Sequence, residues 1–404
     1  MIVTILTQYY PPETGAPQNR LHGLAKALVA QGVEVKIVTA MPNYPVGKVH
    51  EAYRRRAFCR ELFEGVPIWR SWIYASNSRR ILPRLINYFS FVFTGFFSGL
   101  RSGKCDVLIC ESPPLFLGLS AVLLSWLKGA RLVFNVSDLW PESAEKLGIV
   151  GNGFFLRLAY RLEAWLYRRS WLVSGQTQGI VDDIVARFPD VRTHWLPNGV
   201  DADFYKAIEP SIDFCREKGL VGKKLFVYAG VLGHAQGLEV MINAADRLKD
   251  DNRLAFVVIG DGPKKEELET LNRRLGGNVH FLPHMSRYDV MGVVAASYAC
   301  VVPLRKLPLF EGAIPSKIFD PLALGVPVLL GVRGEAEELF VTRGQAGLAF
   351  EPEDDADLAR QVTTLLNDET LRSELADSGK QFVYQYFDRR AISADFLAAI
   401  SSDD

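Results

Sequence analysis

The segment Gly312-Ala313-Ile314-Pro315-Ser316-Lys317 combines the residue types that bind a phosphate and then begins a helix. Proline suits the start of a helix, and the free N–H groups there attract an anion. Ser316 and Lys317 add a hydroxyl and an ammonium, and Asp320 could accept hydrogen bonds from a ribose diol. The pattern favours a nucleoside-diphosphate site, although a carboxylate at this position also complements a helix dipole without any ligand.

Two other loops place glycines between a strand and a helix, where backbone N–H groups can approach a phosphate. The first contains Gly15 and follows the N-terminal strand. The second, residues 230–237, contains His234, which could donate to a phosphate or simply lie at the surface. Its spacing is not that of a dinucleotide fingerprint, so both loops could also be plain tight turns.

A carboxylate stands in a comparable place in the first half of the chain. Ser137-Asp138-Leu139-Trp140-Pro141-Glu142 follows a strongly apolar run. Asp138 could orient or deprotonate an acceptor hydroxyl. It could equally cap the helix that follows, and the sequence leaves both interpretations open.

Alternating strands and helices must position these loops. Charge-free or β-branched runs predict strands at 2–7, 33–39, 106–110, 132–136, 171–174, 225–229, 255–259, 279–282, 300–303 and 327–330. Helical periods separate these runs, so each half of the chain predicts a Rossmann-like, doubly wound parallel sheet. Ligands of such sheets bind beyond the carboxyl ends of the strands, where the candidate loops lie.

The chain has 404 residues, more than a single core usually holds, so two domains are expected. The turn Pro197-Asn198-Gly199 marks the boundary. We therefore predict one domain over 1–195, a second over 196–380 and a terminal helix within 381–404, with its helical stretch at 381–400.

Composition and charge indicate the compartment in which the protein works and the kind of partner that it binds. Five scattered cysteines without metal spacing indicate reduced thiols in a cytosolic protein. Residues 1–195 carry 23 Lys and Arg against 14 Asp and Glu, a net of +9, whereas residues 196–404 carry 23 against 32, a net of −9. The basic half favours a phosphate or lipid partner, or is simply one of two solvated surfaces. It lacks a recognised nucleic-acid module, so no nucleic-acid partner is expected.

Residues 48–104 hold 11 of the basic residues and enclose a charge-free stretch at 85–100, between Arg84 and Arg101. A membrane-spanning helix needs about 20 mostly apolar residues, so the stretch at 85–100 is short for a span. It is a buried core helix, a helix lying in one leaflet, or a membrane span. Met1–Gln8 resembles a first strand rather than a signal peptide.

Together these residues resemble the family 4 retaining glycosyltransferases of GT-B fold, over the whole chain. The motifs that match, in order, are the Tyr-Pro-Pro-x-x-Gly loop ending at Gly15, Pro197-Asn198-Gly199-Val200-Asp201, Tyr228-Ala229-Gly230, Gly260-Asp261-Gly262-Pro263 and Pro315-Ser316-Lys317. The Asp-Leu-Trp-Pro-Glu motif that begins at Asp138 is similar to that of the bacterial O-antigen and capsule branch. The closer similarity is to transferases for N-acetyl-L-fucosamine.

The resemblance implies two Rossmann-like domains facing each other across a cleft, with the last helix crossing back to the first domain. The N-terminal domain would bind a lipid-pyrophosphate-linked saccharide and the C-terminal domain a UDP-sugar. The sugar would be transferred with retention of configuration, without a metal or other cofactor, at the cytoplasmic face of the inner membrane.

The resemblance also assigns roles to residues. Asp138 and Lys317 would be catalytic. Contact with the acceptor or lipid would involve Arg54, Arg55, Arg56, Arg80 and Arg84. Donor binding would involve Gly15, Gly230, Gly233, His234, Gln236, His284, Glu311, Pro315, Ser316 and Asp320.

Two departures from the family pattern matter. The usual phosphate-binding Arg and Lys fall on Val231 and Gln236. The first Glu of the usual Glu-x7-Glu pair falls on Gly312, with Glu311 adjacent, and Asp320 takes the second place. Two alternatives stay open. One is a nucleotide-sugar epimerase of the same fold, and the other, which these departures favour, is a non-catalytic sugar-nucleotide-binding subunit of a polysaccharide assembly complex.

Overall fold

The chain folds into two domains. The computed structural model describes residues 1–13, 15–44, 47–76, 78, 81–146, 153–283 and 285–402. The first domain comprises Met1–Asn198 together with Arg389–Asp404, and the second comprises Gly199–Asp388. The division that we expected after residue 195 thus lies close to the one after Asn198.

The first domain is built on a mainly parallel sheet. Its strands are β1 Ile2–Leu6, β2 Glu34–Ala40, β3 Phe58–Phe63, β4 Val66–Ser71, β5 Val107–Ser112, β6 Arg131–Val136, β7 Leu172–Gly175 and β8 Thr193–Trp195. They are ordered β3-β4-β2-β1-β5-β6-β7-β8. All neighbours pair in parallel except β3 and β4. The central strands are buried on both sides, as their apolar, β-branched runs predict.

Helices cover both faces of this sheet. Up to the domain boundary they are α1 Ala16–Ala30, α2 Ile81–Arg101, α3 Leu117–Lys128, α4 Glu142–Lys146, α5 Phe154–Arg169 and α6 Gln178–Arg187. Leu6 packs on one face with Phe91 of α2, Leu124 of α3 and Leu166 of α5. Ile5, its neighbour in β1, packs on the other face with Leu21 of α1. The alternation of side chains along a strand thus separates two cores.

The hairpin of β3 and β4 was missing from the prediction, which treated this stretch only as a basic segment. Its turn is formed by Glu64 and Gly65, with φ angles of +46° and +82°. Two successive positive φ angles are typical of the tight hairpin turn that matches strand twist. The signal that the prediction overlooked was therefore the pair Glu64-Gly65, which stands between the two strand-forming runs of β3 and β4.

The second domain has a wholly parallel sheet. Its strands are β9 Lys224–Ala229, β10 Leu254–Ile259, β11 Val279–Leu282, β12 Ala299–Pro303, β13 Val328–Gly331 and β14 Gly347–Ala349, ordered β11-β10-β9-β12-β13-β14. The helices are α7 Ala202–Lys206, α8 Asp213–Glu217, α9 Glu239–Arg247, α10 Lys265–Arg274, α11 Arg287–Ala295, α12 Phe319–Ala323, α13 Asp355–Asn367 and α14 Glu369–Tyr386. The prediction of two parallel-sheet α/β domains is confirmed.

The prediction of a single helix at 381–400 is wrong, because Phe387 and Asp388 separate two helices. Helix α14 ends at Tyr386 in the second domain, and α15, Arg389–Ser401, belongs to the first. Phe387 is buried and stacks on Phe340, and its carbonyl accepts a hydrogen bond of 2.8 Å from the Val200 N–H. This packing ends the helix where the apolar pattern alone would continue it.

Helix α15 is docked onto the first domain. The Gln31 side chain at the end of α1 donates to the Ser393 hydroxyl at 2.5 Å. Phe396 and Ile400 lie in the same buried cluster as Leu21 and Leu28 of α1. The last helix thus completes one face of the first domain's core.

Candidate functional site

A glycine-rich loop, Gly230–Gly237, follows β9 at the carboxyl edge of the second sheet. It packs on the loop Gly260–Gly262 that follows the neighbouring strand β10. The Gly230 N–H donates to the Ile259 carbonyl and the Leu232 N–H to the Asp261 carbonyl, both at 2.9 Å. A Cβ on Gly260 would overlap the Gly230 carbonyl oxygen. These glycines therefore permit one loop to lie directly on the other, and at least two loop N–H groups are already used.

Gly230 also makes room for the side chain of Lys317. Its φ angle is +150°, and a Cβ there would overlap the Lys317 Cε and lie 2.9 Å from the Nζ. The ammonium sits 5.6 Å from the ring centroid of Tyr228, whose hydroxyl donates to the Val231 carbonyl at 2.6 Å. Burial lowers the pKa of Lys317, and the charge of Asp320 opposes that shift. The structure thus brings Gly230, Lys317 and Asp320 together.

Asp320 lies in α12 and has partners that sequence spacing did not suggest. Its carboxylate accepts a hydrogen bond from the hydroxyl of Tyr205 in α7. The Arg287 guanidinium lies 4.0 Å from the same oxygen and stacks 4.2 Å from the ring centroid of Phe204. Tyr205 precedes Asp320 by 115 positions, so only the fold could reveal this contact. Tyr205 and Arg287 thus hold the carboxylate in place.

The segment before α12 is ordered by local turns. Pro315 directly precedes a 3-10 turn, Ser316–Ile318, that runs into α12. Glu311 is exposed, and its carbonyl accepts a hydrogen bond of 2.7 Å from the Glu335 N–H. The carboxylate of Glu311 therefore faces solvent while its backbone is fixed.

The other candidates in the Gly230–Gly237 loop have local roles. The Gln236 side-chain oxygen accepts a hydrogen bond of 3.1 Å from the Gly233 N–H, so this pair closes the loop on itself. His234 is exposed and begins the short 3-10 turn His234–Gln236. His284, the remaining donor candidate, lies outside the described residues, as does Arg80.

In the first domain, Gly15 directly precedes α1 and lies against a buried glutamine. A Cβ on Gly15 would approach the Gln18 Oε1 to 2.5 Å. Gln18 is 2% exposed, and its Oε1 has no hydrogen-bond partner among the residues that the structure describes. The glycine therefore admits a polar side chain at the start of the helix, a feature that sequence reasoning missed.

Asp138 follows β6, and its carboxylate accepts a hydrogen bond from the Ser143 hydroxyl. The residue is accessible to solvent, yet the many protein atoms around its carboxyl group desolvate it and raise its pKa. The Ser143 hydrogen bond acts in the opposite direction, and the nearby Glu142 adds to the rise. A carboxylate made more basic in this way can act as a general base, while its bond to Ser143 also orders the loop.

A buried ion pair lies in the same part of the first domain. Arg20 of α1 pairs with Glu111 of β5, and their side chains are 6% and 3% exposed. Asn135 donates to the other Glu111 oxygen at 2.6 Å, and Ser137 donates to the first. The network thus joins α1, β5 and β6 beside Asp138. Arg20 was not predicted, because its partner is 91 positions away.

Four of the predicted arginines lie in the basic segment and on helix α2, and α2 also carries part of an exposed apolar surface. Arg54, Arg55 and Arg56 are exposed, and Arg84 is half-buried on α2. The surface, called the apolar face below, consists of Ile86, Phe89, Phe93 and Phe97 of α2 with Leu119, Leu123 and Trp126 of α3.

The two helices that carry the apolar face, α2 and α3, pack against each other. Phe89 lies 4.8 Å from Phe116, measured between ring centroids. Phe93 is 66% exposed and Trp126 76%. At the end of α2, the Arg101 guanidinium stacks 4.1 Å from the centroid of the Phe58 ring. No helix within the described ranges is long and apolar enough to cross a membrane.

Among the described residues, no group of three or more His, Cys, Asp or Glu side chains could hold a metal ion.

Two domain families match the chain in succession. Residues 15–199 match the glycosyl transferase 4-like domain, and residues 213–382 match the glycosyl transferases group 1. The Escherichia coli K12 protein WcaI, whose name places it among the glycosyl transferases of colanic acid biosynthesis, is 29% identical over 391 residues. The match covers 91% of this chain and 93% of WcaI.

Solved structures show the same fold. Sucrose-phosphate synthase from Thermosynechococcus elongatus has a TM-score of 0.76 at 16% identity, covering 99% of this chain and 98% of that one. Anabaena HepE, solved in complex with UDP and glucose, has a TM-score of 0.72 at 18% identity, covering 99% of both chains. This protein therefore has a glycosyl transferase 4-like domain followed by a glycosyl transferases group 1 domain, and its fold is GT-B.

Proposed function

We propose that this two-domain glycosyltransferase moves a sugar from a UDP-sugar to a lipid-linked saccharide during the synthesis of a surface polysaccharide. The colanic acid assignment in the name of WcaI supports the polysaccharide product. UDP and glucose in the HepE complex support a UDP-sugar donor. The resemblance to N-acetyl-L-fucosamine transferases favours an N-acetylated deoxyhexosamine as the sugar.

The observation that carries the proposal is the placement of Lys317 against Gly230, with Asp320 nearby. In the transfer, the bond between the sugar C1 and the β-phosphate oxygen breaks, and charge develops on the departing UDP. A desolvated ammonium stabilises that charge far better than a solvated one. Asp320, already held by Tyr205, would bind the ribose hydroxyls of the same donor.

The new bond forms between C1 and a hydroxyl oxygen of the acceptor, which must lose its proton. We assign Asp138 to assist that hydroxyl, because desolvation by the surrounding protein atoms raises the pKa of its carboxyl group and makes the carboxylate more basic than usual. Our proposal includes retention of the anomeric configuration and transfer without a metal. The cations of the protein would then balance the charge on the leaving diphosphate.

The apolar face supports an acceptor held at a membrane. Its exposed aromatic side chains, with Arg101 stacked on Phe58 beside it, have the character of a helix lying in the interface of a bilayer. Arg54, Arg55, Arg56 and Arg84 would add attraction to anionic headgroups. We therefore propose that the protein lies on the cytoplasmic face of the inner membrane, where the lipid-linked acceptor is anchored.

Thermal unfolding of the purified protein with UDP-, GDP-, ADP- and dTDP-sugars tests the donor site. A ligand that binds only the folded state raises the midpoint by mass action. We expect a selective shift with one UDP-sugar, followed by transfer of that sugar to a lipid-pyrophosphate-linked acceptor. No shift with any nucleotide sugar would contradict the proposed donor site. Donor turnover without acceptor would instead indicate the epimerase.

A further inference from the structure

Arg305 lies at the far end of the Gly230–Gly237 loop from Lys317. It follows β12, the neighbour of β9, by two positions at the carboxyl edge of the sheet. Its N–H donates to the Ala235 carbonyl at 2.9 Å. Gly237 has a φ of +59°, and a Cβ there would lie 3.3 Å from the Arg305 Cγ. The arginine side chain is thus laid along the end of the loop.

The guanidinium of Arg305 is incompletely satisfied. Its Nε is buried and has no hydrogen-bond partner among the described residues. Its Nη2 lies 4.0 Å from the Glu239 Oε1, beyond hydrogen-bond distance. Two neighbouring cations have close carboxylates: Lys264 is 2.6 Å from Glu267, and Lys306 is 2.7 Å from Glu351.

A buried donor without an acceptor is costly, and an anionic oxygen removes that cost. The Glu239 carboxylate does not fully neutralise Arg305, because it also lies 3.6 Å from the Lys264 ammonium. The planar guanidinium offers several N–H groups in a fixed fork, which suits two oxygens of one phosphate. The Arg305 side chain is 40% exposed, so a ligand can reach it.

We propose that Arg305 is a second cation for the donor diphosphate, at the opposite end of the Gly230–Gly237 loop from Lys317. The inference rests on the proposed function, since it presumes a nucleotide-sugar donor at this loop. A diphosphate carries two phosphate groups, and two cations at the ends of one loop can share them. Arg305 would thus contribute charge where the loop itself has Val231 and Gln236.

Calorimetric titration of UDP, UMP and uridine into the full-length protein tests the assignment. We expect Arg305→Gln to weaken UDP binding by about 10- to 100-fold, since a hydrogen bond to a charged group is lost. Uridine affinity should not change. Lys306→Gln, the adjacent cation already paired with Glu351, is the matched control and should change UDP affinity by less than about twofold.

The outcomes separate the two proposals. If the wild type binds UDP and Arg305→Gln binds it equally well, the assignment of Arg305 is wrong and the proposed function stands. If the wild type binds none of UDP, GDP, ADP and dTDP, both are wrong. Melting temperatures without ligand check folding. Should Arg305→Gln unfold, Arg305→Met removes the charge while keeping the apolar stem of the side chain, and unchanged UDP affinity in that variant would also refute the assignment.

Discussion

Replacing Gly230 with alanine tests whether the position of Lys317 controls catalysis. The new methyl group would overlap the Lys317 Cε, and carbon atoms need about 3.5–4.0 Å between them. The lysine side chain must therefore move by more than about 1 Å, a misplacement that can cost roughly 10²-fold in rate. A φ of +150° adds backbone strain of order 1–3 kcal/mol.

A double-mutant cycle separates these two effects. Lys317→Ala alone should lower kcat/KM by about 10²- to 10³-fold, the usual loss for a group that stabilises charge in the transition state. If Gly230→Ala acts by displacing Lys317, it should lower the kcat/KM of Lys317→Ala by less than about threefold, because sites that share one interaction are not additive. The strain should lower the melting temperature in both backgrounds.

Gly219→Ala is the matched control, because its φ is +69° and nothing lies within 4 Å of the added Cβ. It should lower the melting temperature by a similar route and leave kcat/KM unchanged. Transfer of radiolabelled sugar to a lipid-linked acceptor measures the rates. Multiplicative losses in Gly230→Ala and Lys317→Ala would refute the reasoning, since the methyl group would then act on something other than Lys317.

Three further predictions concern the first domain. Arg20→Met should lower the free energy of unfolding in urea by roughly 3–5 kcal/mol, because it leaves Glu111 buried without its cation; a loss below about 1 kcal/mol would contradict this. Because the surrounding protein atoms desolvate the Asp138 carboxyl group and raise its pKa, and a general base acts only when ionised, kcat/KM should rise with pH through a pKa above the usual aspartate range. That acid limb should vanish in Asp138→Asn, and its persistence there would exclude Asp138 as its source. Phe93→Glu should weaken binding to anionic vesicles, measured by sedimentation, by about 10-fold or more. Val221→Glu is the control, because Val221 lies in the second domain and is as exposed as Phe93, and it should leave vesicle binding unchanged. Equal effects of the two substitutions would show that the apolar face is not the membrane-binding surface.

The strands of both sheets could be predicted from local pattern, because buried β-branched runs bounded by turns need no distant partner to be recognised. The run Leu254–Ile259 is an example, as every residue in it is buried. The end of α14 was not predictable in this way. It depends on Phe387 stacking with Phe340, a contact across 47 positions that the periodicity of 381–400 does not contain.

The residues of the candidate site also differ in whether the local sequence can reveal them. Lys317 and Asp320 could be proposed as donor contacts from the sequence, because an ammonium and a carboxylate stand one turn apart at the start of one helix. Tyr205, which holds Asp320, and Arg305, which lies along the Gly230–Gly237 loop, come from distant elements. Sequence spacing can therefore identify groups that act from one helix start, while the groups that orient or supplement them emerge only when neighbouring strands are placed side by side.

The glycines illustrate why a motif can be recognised for one reason and exist for another. A glycine-rich loop after a strand suggests free N–H groups for a phosphate, yet the Gly230 N–H is bonded to Ile259 and Gly260 faces the Gly230 carbonyl. The glycines bring two loops into contact and open a channel for the Lys317 side chain. In this protein, anion binding should therefore depend more on charged side chains than on loop amides, and substitutions that remove a cation should weaken diphosphate binding more than those that alter a loop N–H.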